Sequence, residues 1–443
     1  MPAHDEETLA PLSEVQRLAL SLAHPLPPVR MLLDDALGCV LAADAIAAED
    51  VPPFANTAMD GYAVRAGDTI DAPVELDVVD VLGAGRAPTV PVRAGEAVQI
   101  MTGAPIPAGA DAIAIVERTE PVLANDGGGR RVRILDTVEA GAHLRAAGSD
   151  LRAGAVAVAA GTLLSPAHIG VLASVGAGVV TVHRRPRVGV MITGDELVEL
   201  AADGTAAPLA PGQIRDSNRH AMLATLRRDG FEAVDLGLAA DTEDAVRAGL
   251  ERALESCDAV LTTGGVSKGE FDYVKVVLAK LGAAAAGGGV HELSVAIRPA
   301  KPLVISWLPG TGSAASRLVP VFGLPGNPVS SLVSYQTIAL PVLRVLAGQS
   351  AAPPPTVPAV AGDGLRRRPD GKTHLARVEV VWQRDGRLRA APVGGQMSHQ
   401  LAGMALANGL AIVPDGDGFA AGEAIEVILF GPVGPGRDTD AAG

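Results

Sequence analysis

Ala259-Val260-Leu261-Thr262-Thr263-Gly264-Gly265-Val266-Ser267-Lys268-Gly269-Glu270-Phe271-Asp272-Tyr273-Val274-Lys275 reads as an apolar strand, a glycine turn and the opening of a helix. A Gly-rich strand-to-helix turn brings backbone N–H groups and the positive end of a helix dipole close to an anion, and Asp272 beside it is a hard ligand of the kind magnesium takes. Four of the chain's five lysines, Lys268, Lys275, Lys280 and Lys301, lie in or just after this stretch. A lone Gly-Gly pair also fits a plain tight turn leading into a solvated helix face. The surrounding sequence decides between the two.

From about 181 to 347, strands and helices alternate. Strands are expected at Arg187 to Thr193, Ala233 to Leu238, Ala259 to Thr263, Pro302 to Trp307 and Val319 to Gly323. Helices are expected at Ser217 to Arg228, from an Asp241 or Thr242 cap to about Ser256, at Phe271 to Leu281 and at Pro328 to Ala347. Such alternation implies a doubly wound α/β domain, a parallel sheet covered on both faces, with ligands gathering at the carboxyl ends of the strands. Thr193-Gly194-Asp195-Glu196, Asp241, Thr263-Gly264-Gly265 and Gly323-Leu324-Pro325-Gly326-Asn327-Pro328 all fall at those ends.

Outside this block the texture changes. Residues 12 to 48 read as helical, with Val15, Leu18, Ala19 and Leu22 and then Leu32, Ala36, Leu37 and Val40 as the apolar positions. Residues 50–145 are rich in Pro, Gly and short β-branched runs and read as a β-rich insert, after which 146–180 returns to the N-terminal helical region formed by 10–49. Pro353-Pro354-Pro355 marks a linker; Arg384-Asp385-Gly386 between two apolar runs signals a hairpin in a small β domain within 348–432, and residues 433–443 read as a disordered tail.

Composition narrows the function. A net charge of −14 with pI near 5.1 argues against nucleic acid as a partner, because phosphate backbones reward basic surfaces. Two cysteines, Cys39 and Cys257, make no disulfide framework, and the N-terminus lacks a secretory layout, so a cytoplasmic protein is expected. The apolar stretch from Ala153 to Val182 is broken by Gly161, Ser165-Pro166, His168 and Gly176. It reads as strand, Ser165-capped helix and strand, and no membrane span is expected.

Asp50-Val51-Pro52-Pro53-Phe54-Ala55-Asn56-Thr57-Ala58-Met59-Asp60-Gly61-Tyr62-Ala63-Val64 resembles the signature loop of the molybdopterin molybdenumtransferases, the MoeA and gephyrin E-domain family. Met101-Thr102-Gly103-Ala104-Pro105, Thr193-Gly194-Asp195-Glu196-Leu197, the Thr-Gly-Gly-Val-Ser segment and Gly323 to Pro328 resemble further blocks of that family in the same order, so the likeness spans about residues 10 to 432. The resemblance implies a molybdopterin-binding α/β domain, a C-terminal β-barrel domain and a homodimer with a shared active site. It implies a magnesium-dependent reaction of adenylylated molybdopterin with molybdate that releases AMP. As catalytic residues it implies Asp60, Thr102, Glu196, Asp241 and Asp272, with Asp241 and Asp272 holding the metal from the ends of neighbouring strands. Substrate contacts are implied at Thr263, Gly264, Gly265, Ser267, Lys275, Arg298, Lys301, Pro325, Gly326 and Pro328, and molybdate contacts at Arg377 and Ser398.

Four of these residues also have a structural reading. Asp241 is a helix cap, Glu196 a first-turn carboxylate, Asp60 a turn aspartate before glycine, and Arg377 an exposed strand arginine paired to a carboxylate. The chain departs from the family pattern at several points. Arg298 replaces a lysine, Ala300 a glycine, Ser294 a further lysine and Met397 a glycine. Lys275 or His291 is the expected substitute for the charge missing at Ser294. A non-catalytic molybdopterin-binding or scaffold paralogue is the alternative function. A molybdopterin adenylyltransferase is disfavoured, because that simpler enzyme lacks the insert and the C-terminal domain.

Overall fold

A computed structural model describes residues 9–122, 129–201, 203–265, 272–283, 289–315 and 317–436. The chain forms two compact units: one of residues 1–29, 38–40 and 183–443, the other of residues 30–37 and 41–182.

The smaller unit is built on a six-stranded sheet in the order Ala112–Ile115, Gly61–Val64, Glu96–Ile100, Val74–Leu82, Arg131–Ile134, Thr119–Val122. Arg131–Ile134, near one edge, buries alternate residues, Val132 and Ile134, whereas Gly61–Val64 and residues 112–114 are buried on both faces, Tyr62, Val64, Ala112 and Ala114 in one cluster and Ala63 and Ile113 in another. Beyond the sheet, Val156–Val158 and Ala45–Ile46 pair, and helix Pro166–Ser174 follows. Ser165 caps this helix as expected: its hydroxyl accepts from the His168 N–H, and the His168 ring accepts from the Ser165 N–H.

The N-terminal helical region is shorter than expected and is divided. Only Leu12–Ser21 is helical; it belongs to the larger unit, whereas most of residues 30–49 belongs to the smaller. Pro25, Pro27 and Pro28 stop the helix. The second apolar run folds instead as a 3-10 turn, Leu33–Asp35, followed by short strands at Val40–Leu41 and Ala45–Ile46. Gly38 supplies the positive φ of 74° that the turn needs. Leu33, Ala36 and Val40 are still buried, so their periodicity reported burial correctly and the element wrongly.

In the larger unit a six-stranded sheet runs in the order Glu232–Ala239, Arg187–Thr193, Ala259–Thr263, Leu318–Leu324, Pro302–Pro309, Gly289–Ser294. The first four strands are parallel, but Pro302–Pro309 and Gly289–Ser294 add antiparallel, so the sheet is mixed rather than all-parallel. Residues 289–294 gave no strand signal, because four of the six are Gly or polar and they lie at an edge. Helices Asn218–Arg228, Glu243–Ser256 and Tyr273–Ala283 cover the sheet. The last helix, Pro328–Leu346, is 89% buried in this core and is the helix, among the described residues, long and apolar enough to cross a membrane. It passes Pro341 through a π turn at Tyr335–Ala339. Proline cannot bond the carbonyl of Thr337, and the Gln16 side chain from the first helix donates to that oxygen instead at 2.9 Å.

C-terminal to Pro353-Pro354-Pro355, the strands Thr356–Ala361, Thr373–Trp382, Leu388–Pro392, Gly409–Val413 and Ala424–Leu429 close into a five-stranded barrel, including the expected hairpin. Thr373 and His374 also pair in parallel with Ile297 and Arg298, tying the barrel to the α/β part. The tail is shorter than expected: Gly434–Pro435 pairs with Val381 and Trp382. Residues 437–443 lie outside the described residues.

Candidate active site

A cavity of about 870 Å³ opens at the carboxyl ends of the parallel strands. Its sheet side is Thr193, Thr263, Gly264 and Gly265, and a second side is Pro325 to Pro328, which leads into the long helix. The glycine turn is fixed by sterics. Gly264 has φ +91°, and a Cβ there would sit 2.6 Å from the Thr193 carbonyl oxygen. Gly265 has φ +65°, and its Cβ would meet Val274 at 2.8 Å. Asn218 bridges the two sides, donating to the Thr263 hydroxyl at 3.1 Å and to the Gly326 carbonyl at 2.7 Å. Three buried polar atoms on the cavity residues, Thr193 Oγ1, Asn218 Oδ1 and Arg215 Nη1, have no hydrogen-bond partner among the described residues. Buried polar groups are rarely left so, and all three belong to residues at the closed back of the cavity lining.

The opposing side carries positive charge. Arg298, Lys301 and Lys372 line it with Pro299, Ala300 and Pro302, and the barrel loop adds Gln396, Met397, Ser398 and His399. Ala300 has φ +83° while 4% exposed. The family glycine is therefore replaced at a left-handed position, which costs about 1–2 kcal/mol. Lys275 is paired with Glu292 at 3.2 Å, and neither it nor His291 is among the residues lining this cavity. Lys372, from the barrel, supplies the additional cation instead. Sequence reading missed it, as it missed Arg215 and Asn218, because nothing local marks a loop lysine that folding brings to a distant strand end.

Arg377 lies behind the cavity lining and not in it. Its residue is 1% exposed. Nη1 donates to the carbonyls of Met397 (3.0 Å) and Gln400 (3.5 Å), and Nη2 donates to that of Gly395. The backbone N–H of Arg377 is bonded to the Gln396 side chain at 2.9 Å. Burial lowers the pKa of this guanidinium. It is neither an exposed strand arginine nor a cavity-lining residue; it braces the loop that presents Gln396 to His399. Ser398 in turn accepts through its carbonyl from the Val329 N–H at 3.2 Å, fixing the loop on the helix start.

Acidic groups form a separate cluster. Asp241 and Asp272 are not at neighbouring strand ends, because Arg187–Thr193 runs between their strands; Asp195 and Glu196, at its end, fill the interval. The Asp195 N–H donates to Asp241 Oδ2 at 3.3 Å and the Asp241 N–H to Asp195 Oδ1 at 3.1 Å. The helix cap is Thr242, whose hydroxyl accepts from Ala245, so Asp241 is released from that duty. Burial first, then the charges of Asp195, Glu196 and Asp272, push the Asp241 carboxyl above the usual range. Among the described residues no group of three or more His, Cys, Asp or Glu side chains converges to hold an ion. A cation here would rest on one or two carboxylates completed by water and ligand oxygens, which is the habit of magnesium. Glu196 also lines the cavity, linking the acidic cluster to it.

Asp60 and Thr102 belong to the smaller unit. Pairing of Gly61 with Ile100 brings them together. Asp60 Oδ1 accepts from the Thr102 N–H at 2.6 Å and from its hydroxyl at 2.7 Å. These two bonds hold the exposed Asp60 carboxyl below the usual range. Phe54, Met59 and Met101 around them are exposed apolar side chains. Ser267, with Lys268 and Phe271, lies outside the described residues.

Residues 10–176 match the MoeA N-terminal region (domain I and II), 189–345 a probable molybdopterin binding domain, and 359–430 the MoeA C-terminal region (domain IV). The chain is 36% identical to molybdopterin molybdenumtransferase 2 of Mycobacterium tuberculosis, over 91% of this chain and 95% of that protein. It is 35% identical to molybdopterin molybdenumtransferase of Nostoc, over 89% and 87%. The solved molybdopterin biosynthesis MoeA protein of Pyrococcus horikoshii superimposes with a TM-score of 0.73 at 26% identity, covering 95% of this chain and 100% of that one.

Proposed function

The chain belongs to the MoeA family of molybdopterin molybdenumtransferases, and from that premise we infer that it is an enzyme that inserts molybdenum into molybdopterin. The observation that carries the reading is the cavity itself: a glycine turn and a helix start on one side and cations on the other. That combination suits a phosphorylated, polyhydroxylated ligand beside a tetrahedral oxyanion.

In the finer form of the proposal the pterin arrives adenylylated, molybdate enters as the second substrate, and AMP leaves. Arg298, Lys301 and Lys372 hold the anionic groups, Gln396 to Ser398 shape the oxyanion end, and the Gly264-Gly265 turn lets backbone approach phosphate. Asp241 with Asp272 would hold magnesium, which when bound polarises the scissile phosphate linkage. Asp60 and Thr102 act in a homodimer that shares its active site between subunits; the exposed apolar residues around Asp60 support a covered surface there. A cytoplasmic location completes the proposal. The test is AMP release from adenylylated molybdopterin by the purified protein with magnesium, with and without molybdate. Molybdate-dependent release is expected; tight pterin binding without release would point instead to the non-catalytic paralogue.

Two variants probe its parts. Arg377→Ala frees the Gly395–Gln400 loop from its brace, so the molybdate concentration for half-maximal rate should rise on the order of ten-fold, about 1.4 kcal/mol. Affinity for adenylylated pterin should stay unchanged; an unaltered molybdate requirement would make the brace irrelevant to the oxyanion. The second probe is pH. Because the folded-state pKa of Asp241 is raised, its ionisation destabilises the fold, and the stability present below the unfolded pKa is lost as pH rises through the folded one. A divalent cation at the cluster offsets that loss. Magnesium should therefore raise the melting temperature above this window by less than about 1 kcal/mol of stabilisation, the group being partly exposed. As pH falls, the effect should vanish at a higher pH than for an ordinary aspartate. Asp241→Asn should abolish the magnesium effect at every pH, and its persistence would move the cation elsewhere.

A further inference from the structure

A second cavity, of about 500 Å³, lies against the first and shares Arg298, Pro299, Gln396 and Met397 with it. Four arginines line it, Arg298, Arg366, Arg367 and Arg368, facing the single carboxylate of Asp370, in a chain whose net charge is −14. We propose that this second cavity is a binding site for a doubly charged tetrahedral oxyanion, held by Arg366, Arg368 and Arg298 beside the main cavity.

The basic wall is built, not incidental. The Arg367 side chain is 4% exposed and donates to the carbonyls of Lys372, Val413 (3.2 Å) and Pro414 (3.1 Å) as well as to Asp370 and Asp415. It therefore spends its charge on holding the 366–372 loop in place. Asp370 is shared three ways, by Arg367, by the His374 ring at 3.1 Å and by Arg298 at 3.7 Å. Among the described residues that single carboxylate leaves Arg366 and Arg368, both exposed, with no ion-pair partner in the cavity lining. Arg366 sits in the short strand Leu365–Arg366, paired with Gly418–Phe419, so its backbone position is fixed. Forked guanidinium groups converging on a concave, partly apolar pocket recognise tetrahedral dianions bidentately. The same loop ends at Lys372 in the main cavity, so one short segment walls both. Either a metal oxyanion queued for the main cavity or the phosphate group of a nucleotide has this chemistry.

Besides the arginines, Asp370 faces the His374 ring; burial holds the ring below its ordinary pKa, and Arg367 and Arg298 add to that against Asp370. A bound dianion opposes this and raises it.

The experiment is equilibrium dialysis of the full chain with molybdate, comparing the natural protein with R366A/R368A, while NMR follows the His374 titration. One ion per chain fewer is expected in the double variant, with His374 titrating higher in oxyanion only when both arginines are present. Equal stoichiometry in the two proteins, or a His374 titration indifferent to oxyanion, overturns the proposal. Inorganic phosphate separates the sources. Displacement at similar concentration identifies a nucleotide phosphate site, and at least ten-fold preference for molybdate identifies a staging site. The proposal rests on the insertase reading only in the choice of molybdate as probe. Failure of AMP release would count against that reading and leave the ion count standing.

Discussion

Asp60→Asn should lower molybdate-dependent AMP release by about a hundred-fold or more while leaving the melting temperature within a degree or two. Both hydrogen bonds from Thr102 end on Oδ1, an acceptor that asparagine retains, so the loop should keep its shape. What the substitution removes is the negative charge, which those two bonds hold ionised well into the acidic range. Among the described residues no hydrogen bond ends on Oδ2, which leaves that oxygen for a substrate or its metal. Thr102→Val should show a smaller version of the same defect, because the N–H to Asp60 survives and only the hydroxyl is lost. The measurement is initial AMP release at saturating molybdate, with a thermal melt of each variant. Normal turnover by Asp60→Asn would remove the smaller unit's carboxylate from the chemistry.

The second large effect is on stability. Asp258 precedes strand Ala259–Thr263 at its amino end, and its side chain is fully buried. It takes a bidentate pair from Arg184 at 2.6 and 2.8 Å, a further bond from Arg317, and the backbone N–H of Arg187 at 2.7 Å. Asp258→Ala leaves two partly buried guanidinium groups and a backbone donor facing an apolar gap. Breaking a buried pair from one side costs about 3–5 kcal/mol, and the melting temperature should fall on the order of ten degrees. The site lies at the end of the sheet opposite the cavity, so AMP release per folded molecule at low temperature should be unchanged. A melt within two degrees of the natural protein would show that the triad contributes little to the fold.

The sequence made the strand ends legible because the physics there is local. Gly264 and Gly265 are dictated by backbone sign and close approach, and the apolar runs before them are long enough to be nothing but buried strands. Positions set by distant partners were harder to read. Leu33, Ala36 and Val40 repeat at helical spacing, yet three prolines and Gly38 turned the same periodicity into short strands and a 3-10 turn. The burial of Arg377 was invisible because carbonyls 18 to 23 residues further on pair with it, and carbonyls leave no compositional trace. Lys372 was overlooked for a related reason: its importance comes from the barrel's closure. The Ala300 substitution was noticed, and only the φ of +83° shows that it matters.

The two backbone pairs that join Ile297 and Arg298 to Thr373 and His374 give the barrel a role that its place after a proline linker conceals. The cation that faces both cavities is stitched to the barrel's longest strand. A substitution inside the barrel that shifts this strand would therefore reach Arg298 through the backbone, without altering any lining residue. Where composition marks a boundary between modules, the hydrogen bonds run straight across it. The backbone position of Arg298, which lines both cavities, thus depends on the register of the barrel strand beside it.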